Sequence, residues 1–218
     1  MGGFFAVASK ESCVMDLFFG TDYHSHLGTK RGGMCVYDVK KGFDRAIHNI
    51  ENSPFRTKFE TEIGKMKGNL GIGSLSDGEP QPLTIYSKQG HYSIGTVGRI
   101  NNKAQLVQEL IDNGAHQFMS QSGGDINNTE LVAALINQKE TFADGIQYAQ
   151  SVIDGTANVL ILTEDGSLIA ARDRLGRIPV QIGKNDDGYC VSMEEFAFTK
   201  LDYEKVCELG SGEIVELT

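Results

Sequence analysis

The chain has 218 residues, 40% of them hydrophobic and 22% charged, and a formal net charge of −9. That length allows one large domain or two small ones with a sizeable core, and the composition is ordinary for a globular protein. The acidic balance, with no Lys/Arg run longer than Lys30-Arg31 or Lys40-Lys41, repels polyanions and argues against nucleic acid as a partner.

In chain order, residues 4–9 form a short apolar run and are expected to be a buried strand. Residues 11–19 read as a helix with Val14, Leu17 and Phe18 on one face. Strands are expected at 32–38 and 45–50 around the Lys40-Lys41-Gly42 turn. Asn52-Ser53-Pro54 then opens a helix reaching about Met66, with Ser as cap and Pro as first helical residue. Three strands follow at 70–75, 83–87 and 91–97. Leu106, Val107, Leu110 and Ile111 make a helical stripe over 102–111, closed by Gly114. Further helices are expected at 128–137 and 142–153. After them come strands at 157–163, 168–172, 180–182, 189–192 and 213–217, with one helix start at Glu194-Glu195, where acids suit the dipole. No repeat or Pro/Ser-rich linker interrupts residues 1–218, which read as a single domain. The element order suggests two stacked sheets with helices outside, an α+β layering; pattern alone does not choose among such folds.

No apolar run is long enough to cross a bilayer, which takes about 18 residues. The start, from Met1 to Val7, lacks a basic signal region and has Ala6 where a myristoylation signal places Ser or Thr. No membrane partner is expected. Cys13, Cys35, Cys190 and Cys207 form no C-x-x-C pair and read as reduced thiols of a cytoplasmic protein. Cys13 is expected to be a core thiol, because a cut making it N-terminal would remove the first strand. His24 and His26 have metal-ligand spacing but no evident carboxylate partners, so a hydrogen-bonded structural role is expected. No metal and no cofactor are expected. Arg172-Asp173 reads as a local ion pair shaping a loop.

Several blocks together carry a family resemblance. The segment Leu168-Ile-Ala-Ala-Arg-Asp-Arg-Leu-Gly-Arg-Ile-Pro-Val180 is similar to the A-A-R-D-P-x-G-x-R-P-L stretch of class II glutamine amidotransferases. It follows Leu162-Thr-Glu-Asp-Gly166, whose Asp-Gly suits a tight hairpin. Leu209-Gly-Ser-Gly-Glu-Ile-Val-Glu216 resembles the L-x-P-G-E-I-V that ends the glutaminase domain of amidophosphoribosyltransferases. The block from Asp22 to Met34, Gly68-Asn-Leu-Gly-Ile-Gly73 with Gln81-Pro82, the block from Ile94 to Asn102, and Asn127-Asn-Thr-Glu130 match further family blocks in order. The resemblance covers essentially the whole chain. It implies the four-layer α/β/β/α sandwich of two antiparallel sheets found in N-terminal-nucleophile (Ntn) hydrolases.

The family's chemistry uses an N-terminal Cys exposed by removal of Met1, attacking the glutamine amide with its own α-amino group as base. An Asn side chain and a Gly N–H form the oxyanion hole; an Arg and an Asp hold the substrate's α-carboxylate and α-ammonium. Carried over residue by residue, the nucleophile falls on Gly2 and the oxyanion Asn on Val97, leaving the Gly98 N–H. The carboxylate-binding Arg falls on Ser76, the ammonium-binding Asp on Asn128, and the arginine of the H-R-G triplet on Leu27, with His26 and Gly28 retained. Arg99 either gates the pocket or is an exposed arginine. No catalytic residue is intact under this alignment.

Three functions stay open at this point. One is a degenerate domain acting as a structural or regulatory module. Another is an active glutaminase supplying ammonia for purine biosynthesis, its residues displaced from the positions assigned here. The third is a sensor whose vestigial glutamine pocket binds another small molecule. The resemblance also implies a phosphoribosyltransferase domain following in a longer parent chain; that domain's phosphoribosyl-pyrophosphate loop is not among these residues. A homo-oligomer is left open.

Overall fold

The computed structural model describes residues 2–114, 117–119 and 124–218. Strand β1 (Gly2–Ser9) is the centre of a seven-stranded antiparallel sheet. On one side it pairs with β4 (Leu70–Ser76), followed by β2 (Arg31–Asp38) and β3 (Gly42–Asn49). On the other it pairs with β10 (Gly188–Ser192), followed by β9 (Gln181–Lys184) and the edge strand β11 (Glu204–Glu208). The second sheet runs β12 (Ile214–Leu217), β8 (Leu168–Ala171), β7 (Gly155–Thr163), β6 (Gly90–Ile100), β5 (Leu83–Ser87), again antiparallel throughout.

The apolar run in β1 has a direct physical reading. A strand covered on both faces needs hydrophobic residues at every position, not alternate ones. Phe4 and Ala6 enter the core between the sheets, with Ile72, Val97, Leu160, Leu162 and Val191. Phe5 and Val7 point the other way, into a core shared with the outer helices. That core is capped by α1 (Val14–Tyr23), α2 (Phe55–Ile63) and α6 (Glu195–Lys200), through Phe18, Phe55, Phe59 and Phe198. On the far side α3 (Lys103–Asp112), α4 (Asn128–Ile136) and α5 (Phe142–Val152) cover the second sheet, burying Leu106, Leu131, Leu135 and Ile146. The result is the expected α/β/β/α sandwich.

Side-chain links fix the layers against each other. The Tyr37 hydroxyl on β2 donates to the Glu164 carbonyl in the β7–β8 turn, joining the two sheets. That turn is the predicted Asp165-Gly166 hairpin, with Gly166 at φ +90°, where a side chain is disfavoured.

Several boundaries differ from the sequence reading. The Ser9–Cys13 segment makes its own turn, with Glu11 N–H donating to Ser9 Oγ at 3.1 Å and Cys13 N–H to the Gly68 carbonyl at 2.9 Å. Helix α1 therefore starts at Val14. Pro54 is itself the cap residue of α2, not its first helical residue, and the helix stops at Ile63. Past α5 the chain has a complete helix α6 where only a start was expected, and the unexpected strand β11. All five residues of β11 are exposed at the sheet edge, so no apolar pattern marks it.

Leu160 is fully buried on β7 between the sheets. Leu160→Ala is expected to lower stability by about 2–5 kcal/mol, measured by urea unfolding. A loss under about 1 kcal/mol would contradict a close-packed inter-sheet core.

Candidate functional site

The β1–β4 register sets Gly2 opposite Ser76. On the facing sheet, β6 pairs with β7 so that Val97 stands opposite Asn158 and Gly98 opposite Ala157. Helix α4 begins alongside, capped by Asn127, whose Oδ1 accepts the Thr129 N–H at 2.8 Å. These strand and helix ends border one cavity of about 220 Å³. Gly2, Ser76, Val97, Gly98 and Asn128 all line it, so the structure brings together the five residues that the alignment places at the reaction centre. Met1, whose removal the family's chemistry requires, lies outside the described residues.

Backbone closes tightly around two of these positions. A Cβ added at Gly2 would lie 2.4 Å from the Leu75 carbonyl oxygen, and one at Gly98 would lie 2.0 Å from that of Thr156. Both are backbone contacts, so relief requires the strands themselves to shift.

The loop between β4 and β5 supplies lining residues that sequence reasoning did not single out, namely Asp77, Gly78 and Glu79. Gln81 anchors the loop, its Nε2 donating to the Thr96 carbonyl at 3.0 Å and its Oε1 accepting the Thr96 N–H at 2.8 Å and the Thr129 hydroxyl at 3.1 Å. The Ser76 hydroxyl donates to the Glu79 carbonyl. Glu79 Oε1 accepts the Asn128 N–H at 2.9 Å. Burial pushes the Glu79 carboxyl above its ordinary range; the Asn128 hydrogen bond and the charge of Lys103 oppose this. Asn128 Oδ1 is buried and has no hydrogen-bond partner among the described residues. The polar run Ser76-Asp-Gly-Glu79 was the available signal, but such runs are ordinary in turns.

Other candidates lie elsewhere or serve structure. Arg99 is exposed and does not line the cavity among the described residues, so its guanidinium does not gate it. Leu27 packs against the inter-sheet core. Cys13 is buried, and burial pushes its thiol up to about 12. Cys35 and Cys190 are likewise buried, whereas Cys207 is exposed. His26 Nε2 lies 3.0 Å from Glu194 Oε1, which makes Glu194 a partner as well as the α6 cap residue. The expected Arg172–Asp173 ion pair is not formed. Arg172 Nη1 instead reaches Glu208 Oε1 at 2.9 Å, while Nε and Nη2 donate to the Ile178 and Gly176 carbonyls. Asp173 Oδ1 accepts the Leu175 and Gly176 N–H groups. Among the described residues no group of three His, Cys, Asp or Glu side chains could hold a metal ion.

With this geometry in place, comparison with known proteins is decisive for the family. A family model described as glutamine amidotransferase domain matches residues 68–200. The chain belongs to that family. It is 29% identical to the amidophosphoribosyltransferase of Methanocaldococcus jannaschii, over 100% of this chain and 47% of that protein. The Archaeoglobus fulgidus amidophosphoribosyltransferase is 26% identical over 86% of this chain and 41% of its own length. Among solved structures, the glutamine phosphoribosylpyrophosphate amidotransferase of B. subtilis, complexed with ADP and GMP, superposes with a TM-score of 0.84 at 26% identity, over 99% of this chain and 47% of that one. An allosteric regulatory enzyme of purine biosynthesis superposes with the same TM-score at 25% identity. The fold is that of a class II, Ntn-type amidotransferase domain, and the chain spans a little under half the length of the relatives it matches.

His24, which does not line the cavity, is fully buried and ties the end of α1 to the end of β10. Its Nδ1 is 2.7 Å from the Gly20 carbonyl, and its Nε2 accepts the Met193 N–H at 3.3 Å and lies 3.1 Å from the Ser192 hydroxyl. Burial lowers its pKa below 6.5. Below that value the unfolded chain binds a proton that the folded chain refuses, so the His24 contribution is full above 6.5 and is lost as pH falls toward the depressed folded value. Urea stabilities of native protein and His24→Gln between pH 7.5 and 5, a range on the order of the histidine titration, are expected to show the native value falling more steeply. Parallel pH profiles would remove His24 as the cause.

Proposed function

We propose that this domain keeps the amidotransferase fold and its pocket, does not hydrolyse glutamine, and acts as a structural or regulatory module. Residue 2 carries the reading. At the position aligned with the nucleophile stands a glycine whose added Cβ would meet the Leu75 carbonyl oxygen at 2.4 Å. A thiol is absent there, and the β1–β4 ladder leaves it no room. The neighbouring substitutions point the same way. Val97 provides no oxyanion donor, and loss of one such donor costs about 10²–10³ in rate. Ser76 cannot replace the bidentate grip of a guanidinium, and Asn128 carries no charge to meet an ammonium.

In this reading residues 1–218 form one cytoplasmic domain. Its natural partner is a phosphoribosyltransferase domain in a longer parent chain, one that draws on free ammonia for a purine-related reaction. The support is the likeness to amidophosphoribosyltransferases, together with the fact that this chain spans under half of their length.

The test is glutamate release from glutamine by native protein and by Gly2→Cys, with Met1 removal confirmed by mass. Neither protein is expected to turn over. Gly2→Cys is also expected to lose about 1–3 kcal/mol of stability, as an overpacked strand does. Steady turnover by native protein overturns the proposal; turnover by the variant alone shows that the rest of the centre is competent.

A further inference from the structure

Helix α1 is apolar on both sides. Val14, Leu17, Phe18 and Thr21 are buried against the domain. Met15, Phe19 and Tyr23, spaced by four residues, form a second line that the fold covers only in part. Met15 is 49% exposed. Phe196 of α6 lengthens the line; it is 54% exposed and meets Tyr23 edge-on, with ring centroids 5.5 Å apart. The charged residues of α1 are Asp16 and Asp22, and both are engaged, by the Tyr203 hydroxyl at 2.7 Å and by Arg56 at 2.6 Å. A surface helix keeps its outer face polar, whereas one that is hydrophobic all round is covered on both faces.

The strip carries opposite signs at its two ends. Where the chain enters α1, Glu11 is exposed, as are Asp186 and Asp187 of the β9–β10 turn. Lys10 holds that turn in place, its N–H donating to the Asp187 carbonyl at 2.8 Å and its ammonium to the Asp186 carbonyl at 3.1 Å. Toward the other end cations lie over the rings, Arg56 at 5.3 Å from the Phe19 centroid and Lys200 at 5.4 Å from that of Phe196. The acids nearby are paired, Glu195 with Lys205 at 3.1 Å and Glu194 with His26 at 3.0 Å.

An apolar line with an acidic end and a cationic end complements itself when reversed. A two-fold axis crossing the line at right angles produces that reversal, setting acid end on cation end in an isologous contact. The helix dipoles then also run antiparallel. Because the net charge of −9 makes copies of this chain repel in most orientations, this complementarity singles out one face.

We propose that the outer face of α1, extended by Phe196, packs antiparallel on the same face of a second copy to form a symmetric dimer. The proposal does not depend on whether the domain hydrolyses glutamine.

Sedimentation equilibrium of the native chain is expected to show a monomer–dimer equilibrium with a dissociation constant on the order of micromolar. Met15→Glu and Phe196→Glu change exposed side chains. Each is expected to keep the native circular dichroism spectrum and to weaken the dimer about tenfold or more. Glu11→Lys and Lys200→Glu each set like charges at both ends of the symmetric contact, and each alone is expected to weaken it about tenfold. An equimolar mixture of these two variants restores opposite signs at both ends and is expected to associate as the native chain does. A native chain that stays monomeric at about 100 µM overturns the proposal. So do folded Met15→Glu and Phe196→Glu variants that dimerise as well as native protein, or a mixture that associates no more tightly than its separate components.

Discussion

Strand β1 is buried along nearly its whole length and hydrogen-bonded on both edges, to β4 and to β10. A strand held in this way cannot lean away from one neighbour without breaking its ladder with the other. Phe5 to Ala8 are held on both edges, whereas Gly2, at the start of the strand, is placed by the β1–β4 ladder alone. Opposite Ser76 and over the Leu75 carbonyl, only a glycine fits the observed backbone. Gly98 repeats the arrangement on the facing sheet against Thr156. Two close backbone approaches thus form part of the cavity wall, and a reactive side chain at either would have to displace a strand.

The two acids that line the cavity, Asp77 and Glu79, come from the β4–β5 loop. The β4–β5 loop owes its shape to Gln81, which is held on both of its amide atoms by β6 and α4. This anchoring carries Asp77 and Glu79 to the cavity mouth. Glu79 also receives the first N–H of α4, where a negative charge is favoured by the helix dipole. Burial opposes that charge, and the carboxyl's raised pKa shows that the desolvation cost outweighs what the hydrogen bond and Lys103 return.

How much of this was legible in the sequence depends on what each residue has to do. Buried elements announced themselves: the run through Phe4 and Val7, and the stripe at Leu106 and Leu110, have periodicities that burial imposes. Strand β11 did not, because an exposed edge places no demand on hydrophobic pattern. The meeting of Gly2, Ser76, Val97, Gly98 and Asn128 was readable only through the family resemblance, since no local pattern links positions so far apart. Asp77 and Glu79 escaped because acids in a short loop look like any solvated turn. The Arg172–Asp173 pairing failed for a geometric reason. Adjacent residues leaving a strand point to opposite sides, and Arg172 instead meets Glu208, 36 positions away.

That same arginine holds the family's signature segments in place. Arg172 fastens the loop after β8 to β11 and to the Leu209 carbonyl, while the Arg172 N–H donates to the Glu213 carbonyl at 3.0 Å. Asp173 organises the turn beneath it, and Asn158 Oδ1 on β7 accepts the Asp173 N–H at 2.8 Å. The two segments that most strongly mark the family, residues 168–180 and 209–216, are thus stitched to each other, and none of their residues lines the cavity. Their side chains are constrained by backbone groups that need partners when buried, a demand that persists whatever the cavity binds. Gly2, Ser76, Val97 and Asn128 take no part in those hydrogen bonds, so the signature segments are held independently of the cavity's lining.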